Sequence, residues 1–304
     1  MSLLSLINRG RTSRAEQADE PNDSGEIALE ARRRWELVVA SVPDDAEARL
    51  QLAHTYEALG DEEALGRLIE ELDERFSTNR PLRILVARHY LRRGDNELAL
   101  ARWSAIEADY PDQSESAINL AYLYFREDRL DEALAFSDVL ADKHGLAGRA
   151  NKIRAKVYQR REAWDDAVVA WRGVLAEHSD DGEALAGLIG AHLKKDDMAS
   201  AQAELTAARE ADPENPALLG LQFRILMRGE RFEEALQVLG QQLESRPTAT
   251  EILYEKAAVL YRLDRHEESE SICRKMLECK PEDVRILTLY ARIGQARLSA
   301  LKTA

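Results

Sequence analysis

From Arg80 to Asp283 one 34-residue pattern is written six times without a slipped residue. Steps of 34 from Ala99 land on Ala133, Ala167, Ala201, Ala235 and Ser269. From Ala87 they reach Ala121, Ala155, Ile189, Phe223 and Ala257, and from Pro111 they reach Gly145, Ser179, Pro213, Pro247 and Pro281. A fixed period of this length means that each repeat is one small supersecondary element, too small to bury its apolar face alone and therefore stacked on its neighbours. The usual inference from a chain of 304 residues, about two globular domains, does not apply to such an array.

Each repeat reads as two helices. The first spans about fourteen residues of helical spacing, as in Ile84, Ala87, Tyr90 and Leu91. A turn follows at Gly94-Asp95, Asp128, Glu162, Asp196-Asp197, Gly229-Glu230 or Asp264, residue types suited to ending one helix and capping the next. The second helix carries stretches such as Asp131-Glu132-Ala133 and Glu233-Glu234-Ala235. Small residues at two fixed places let paired helices approach closely, and a bulkier side chain there would cost roughly 1 to 3 kcal/mol in overpacking. Large residues fill the seam, Trp103, Trp171, Leu205, Leu239 and Cys273 in one place and Leu130, Trp164, Met198, Phe232 and His266 in another.

The flanks are less regular. Residues 1–25 are expected to be a flexible tail, with Leu3, Leu4, Leu6 and Ile7 ahead of Arg9, Arg11 and Arg14, followed by a polar linker from Thr12 to Gly25. That short apolar stretch precedes its charges and is not a signal peptide; it is either a plain tail or a brief amphipathic docking segment. Residues 26–45 read as the second helix of a repeat whose first helix is missing, with Ala28, Ala31, Trp35, Val38 and Val39 on one face. Residues 46–79 form a degenerate repeat in which Ala64-Leu65 falls one place early, as if one residue were lost. Residues 284–304 give a terminal capping helix and tail, with Leu287, Tyr290 and Ala291 continuing the repeat face and Arg285, Arg292, Gln295 and Arg297 on the polar side.

The pattern resembles the tetratricopeptide repeat family from Ala46 to about Leu298. The resemblance implies an all-α, right-handed superhelical solenoid of antiparallel helix pairs, whose first helices line a concave groove that holds a segment of a partner protein. Arg83, Ala117 and Asn151 depart from the family, which favours a large aromatic there.

Nothing in the sequence points to catalysis. It contains no GxxxxGK[ST], HExxH or GxSxG motif and no GxGxxG after a strand. The six histidines fall in different phases of the repeat without ligand spacing, so neither metal nor cofactor is expected. Cys273 and Cys279 lie six apart on one helix and do not face each other, which suits a reducing, cytoplasmic setting. No apolar run reaches the length of a membrane span.

One series carries the functional expectation. The thirteenth residue of each regular repeat is basic: Arg92, Arg126, Arg160, Lys194, Arg228 and Arg262. By the family geometry this ladder faces the groove, together with Arg88, Arg149, Lys152, Lys156 and Arg224 and the aromatics Tyr122, Phe125 and Tyr261. Glu115, Glu183, Glu251 and Glu255 dilute the positive field. A basic residue at a helix C-terminus also has a structural reading, through the helix dipole. The functional reading is a groove for an acidic peptide with a few apolar anchors, centred on Tyr122 to Arg160. A carboxylate clamp of the cochaperone kind is not completed, since Ile84, Arg88, Asn119, Arg149 and Ile153 occupy its places. The alternatives are a non-catalytic accessory subunit of an enzyme, secretion or envelope-assembly complex, and single-stranded nucleic-acid binding, which the formal net charge of −14 disfavours. No small-molecule substrate is expected, and the end helices leave stacking into homo-oligomers open.

Overall fold

A computed structural model describes residues 23–303 apart from Ser77 and Glu214. The amphipathic segment Met1 to Arg14 and most of the linker lie outside the described residues. The described residues form sixteen helices and no strand. The chain divides into two compact units between Leu123 and Tyr124.

The first unit contains α1 (Asp23–Ser41), α2 (Ala46–Leu59), α3 (Glu62–Arg75), α4 (Arg80–Arg93), α5 (Asn96–Asp109) and most of α6 (Ser114–Arg126). The second contains α7 (Leu130–Asp142), α8 (Ala147–Arg160), α9 (Trp164–Glu177), α10 (Gly182–Lys194) and α11 (Met198–Ala211). It continues with α12 (Ala217–Arg228), α13 (Phe232–Ser245), α14 (Thr250–Arg262), α15 (His266–Cys279) and α16 (Val284–Thr303). Within each unit successive helices pack side by side, in the manner of a solenoid.

The reversal inside each repeat has one geometry. Residues 60, 94, 128, 162, 196, 230 and 264 all have positive φ, and they stand 34 apart. Each N–H bonds the carbonyl three residues back, as Asp128 N does to Phe125 O at 3.2 Å. The next residue bonds five back, as Arg129 N does to Tyr124 O at 2.8 Å. This pairing satisfies two of the last carbonyls of the first helix. Only Gly60 and Gly94 are glycines; in the Gly229-Glu230 turn the left-handed residue is Glu230, not Gly229. Side chains then cap two of the second helices, Asp61 accepting from Ala64 N at 3.0 Å and Asp197 from Ser200 N at 3.0 Å.

The two repeated small places lie in the core, with half-buried Phe223 as the exception. Ala99, Ala133, Ala167, Ala201, Ala235 and Ser269 are all fully buried, as are Ala87, Ala121, Ala155, Ile189 and Ala257. Ser269 fits because its hydroxyl donates to Ala257 O at 2.7 Å. Trp103 and Trp171 fill the seam. Gly187 of α10 lies flat against the Trp171 indole, where a Cβ would overlap the ring. Cys273 is buried, and burial pushes its thiol up to about 11, whereas Cys279 is exposed; both are free.

The structure revises the sequence reading in two places. No residue is lost from the degenerate repeat: α3 begins at Glu62 and α5 at Asn96, one period apart, and Leu65 simply occupies the small-residue place with Ala64 buried beside it. In α16 the buried face is Ile286, Leu289 and Ile293, while Leu287 and Ala291 are exposed. Those two positions are covered in other repeats by a following second helix, and none is present here among the described residues.

Candidate functional site

The residues singled out in the sequence fall in both units. Arg88 and Arg92 of α4 and Tyr122 of α6 lie in the first. Phe125 and Arg126 at the end of α6 lie in the second, with Arg149, Lys152, Lys156 and Arg160 on α8, Lys194 on α10, Arg224 and Arg228 on α12, and Tyr261 and Arg262 on α14.

All six ladder residues are exposed, and five of them are engaged within the chain. In the first unit Arg92 bonds Glu57, and Arg88 bonds Glu115. The Glu57 carboxyl is held below its ordinary range by His54 and by Arg92, against the opposing effect of burial. In the second unit Arg160 and Arg228 pair with Asp128 and Asp196. Three ladder cations stand over aromatic rings of the preceding repeat: Arg160 over Phe125 at 5.2 Å, Lys194 over Trp164 at 6.0 Å and Arg262 over Phe232 at 5.6 Å. Tyr261 packs against His266, with ring centroids 5.4 Å apart. Arg126 and Arg149 end and begin their helices exposed.

Lys152 and Lys156, one turn apart on α8, are matched by two carboxylates. Lys152 Nζ lies 2.9 Å from Asp181 and 2.7 Å from Glu183, and Lys156 Nζ lies 2.9 Å from the other Glu183 oxygen. Burial opposes the charge on Lys152, yet Glu183 and Asp181 outweigh it and raise the ammonium above its ordinary value. Glu183 is held down by Lys152 first and Lys156 second. Asp181 also caps α10, accepting from Ala184 N at 2.9 Å. Burial works against its charge, but that N–H and Lys152 hold its carboxyl below the usual range.

The next stretch of the second unit is apolar and open. A hollow of about 370 Å³, within the size range of ligand pockets, is lined by Leu185 and Ala186 of α10, by Leu221, Phe223 and Arg224 of α12, and by Glu255 of α14. Arg224 is exposed on its wall and lies across α10 where Gly190 has no side chain, with the guanidinium 3.1 Å from the place a Cβ would take. At Glu255, which also lines the hollow, burial pushes the carboxyl up, and Glu251 adds to the shift. The ladder reading missed this hollow. Its signal lies in another series of period 34, Lys152, Ala186, Gly220 and Tyr254, where two small residues follow one another between long ones.

Chemically the arrangement offers an apolar recess, an exposed guanidinium and two ammonium groups matched by two carboxylates. Among the described residues no cluster of three His, Cys, Asp or Glu side chains is placed to hold a metal ion. No helix among them is long and apolar enough to cross a membrane.

Family models for the tetratricopeptide repeat match residues 86–145, 160–225 and 226–293. No curated protein sequence gives a significant match. Among solved structures the chain is similar to yeast Tom70, at 16% identity and a TM-score of 0.62 over 91% of this chain and 61% of that one. It is similar to a tetratricopeptide repeat protein from Parabacteroides merdae, at 15% identity and 0.57, covering 78% and 94%. It is also similar to pilF of Pseudomonas aeruginosa, at 12% identity and 0.52, covering 69% and 96%. Likeness at these identities speaks to the fold alone.

Proposed function

Since the chain belongs to the tetratricopeptide repeat proteins, a fold that serves as a scaffold for protein–protein interaction, we propose that its second unit binds an acidic peptide segment of a partner protein and performs no chemistry on it. The observation that carries this reading is the hollow with Arg224 on its wall. An apolar side chain of the peptide enters the recess over Leu185, Leu221 and Phe223, while a neighbouring carboxylate meets the Arg224 guanidinium. Burying one Leu- or Phe-sized side chain contributes roughly 1.5 to 3 kcal/mol. A hydrogen bond to a charged group adds about 1.5 to 3 kcal/mol. Ordering the peptide offsets much of that sum, so Lys152 and Lys156 are needed as further contacts. Exposed guanidinium contacts make the affinity fall with salt.

The test is fluorescence polarisation with labelled acidic peptides that carry one Leu or Phe, beside neutral and basic peptides of the same length and a single-stranded RNA. Acidic apolar peptides bind the wild type, Arg224→Glu weakens them tenfold or more (about 1.4 kcal/mol or above), and Ala186→Trp blocks the recess. Unchanged binding in both variants, or preference for the RNA, overturns the reading.

A further inference from the structure

The first and last described helices are halves of a hairpin, of opposite kind. α1 stands in the register of a second helix. Ala31, Trp35 and Val38 lie two periods before Ala99, Trp103 and Ile106. In α5 those residues are 0%, 0% and 2% exposed, whereas Ala31, Trp35 and Val38 are only half-buried. No first helix precedes α1 among the described residues. The stretch in that register, 12–25, runs into α1 itself, which begins at Asp23, and carries only Ala15, Ala18 and Pro21 as apolar side chains.

α16 stands in the register of a first helix. Ala291 and Gly294 lie one period after Ala257 and Leu260, which are 0% and 1% exposed. Ala291 and Gly294 are exposed. Val284, Leu287, Ala291 and Leu298 fall along one side of the helix, at the spacing that seats a partner helix. Among the described residues each end helix is therefore without the kind of partner that the other end could supply.

The lengths agree with this. A regular first helix ends after fourteen residues to make its turn, but α16 runs on to Thr303. A regular second helix starts at the position of Asn96, equivalent to Ala28, but α1 starts earlier, at Asp23. Both extensions lie at the end where a hairpin would reverse, and two separate helices need no turn there. Paired antiparallel, they bring Leu298, 63% exposed, beside Ile27, 55% exposed.

We propose that α16 of one molecule takes α1 of a second copy of this chain as its missing second helix, so that the protein associates head to tail through a completed repeat. Such a contact uses two different surfaces, which leaves one of each free on a dimer and permits growth beyond it.

Sedimentation velocity of the full chain across a wide concentration range tests this, with Ala291→Glu on α16 and Ile27→Glu or Ala31→Glu on α1. Ala291 and Ile27 are exposed, so these two variants keep wild-type helicity and melting temperature. The wild type gains mass with concentration past the dimer. Each variant alone loses at least about tenfold in apparent association constant, or roughly 1.4 kcal/mol. An equimolar mixture of an α16 variant with an α1 variant forms a dimer that grows no further, because one intact interface remains. A wild type that stays monomeric throughout overturns the proposal and indicates that the chain covers its own ends. Self-association abolished by Ala291→Glu but untouched by both α1 substitutions also overturns it, in favour of symmetric α16 pairing.

Discussion

Arg228 reaches back to Asp196 of the preceding repeat, Nη2 to Oδ1 at 3.0 Å, and Arg160 reaches Asp128 in the same way, Nη1 to Oδ1 at 3.0 Å. In both pairs the acid is the left-handed residue that ends the previous first helix, with φ of 62° and 59°. A ladder cation thus ties the end of its own helix to the turn before it. These pairs are exposed, so each is worth no more than about 1 kcal/mol and is screened by salt. Arg228→Ala is expected to lower stability in urea by less than about 1 kcal/mol, with the difference fading in high salt. A peptide affinity that drops while this stability holds would assign the residue to binding.

Gly94→Ala isolates the backbone cost of the turn. Gly94 has φ 82°, and nothing lies within 4 Å of a Cβ there, so only the left-handed conformation resists. The substitution is expected to destabilise by about 1 kcal/mol. Glu162→Gly runs the other way: Glu162 has φ 57°, and relief of that strain, less the entropy of a glycine, gains about 0.5 kcal/mol. Urea midpoints at unchanged m-value measure both.

Gly187→Ala drives a methyl into the Trp171 indole. Neither partner has room to yield, since Trp171 is 2% exposed in the core of α9 and α10. A loss of about 1 to 3 kcal/mol is expected. Trp171→Leu is the natural rescue, because Leu205 and Leu239 hold the same place. In a double-mutant cycle the pair should be less destabilised than the sum of the single variants.

Much of this architecture is readable from one chain because period and burial coincide. The turn residues and the alanines recur at 34, and the seam place that holds Trp103 and Trp171 recurs with them, each in the same surroundings. Periodicity misleads where surroundings are not repeated. Leu287 and Ala291 look like core by position, yet they are exposed because burial at those places depends on a following helix. The basic ladder was visible as a series of cations, but the partners of Lys152 and Lys156 were not paired with them, since Asp181 and Glu183 stand 27 to 31 residues away and out of register. The hollow beside Arg224 is made by absent side chains at Ala186 and Gly220, which a search for chemistry-bearing residues passes over.

Glu183 gives the site a pH dependence. Its folded carboxyl is depressed by Lys152 and Lys156, so its contribution is fully present above the ordinary Glu range and is lost as pH falls through the depressed value. Lys152 is raised, so its share is complete below the ordinary Lys range and disappears as pH climbs through the raised value. Glu183→Gln should therefore flatten the stability profile at both extremes, measured by melting temperature against pH. At neutral pH the same variant, which removes one negative charge from beside Lys152 and Lys156 while Asp181 stays paired with Lys152, should bind the acidic peptides more tightly.

The contrast between the two thiols has a practical side. Cys273 is sealed in the core with its thiol kept protonated, and Cys279 stands at the surface. Mild maleimide treatment of the native protein will place a single dye on α15 without any engineering, one element away from the exposed stripe of α16. Unfolding would be announced by uptake of a second label, so the chain carries both its own attachment point and an internal reporter of intactness.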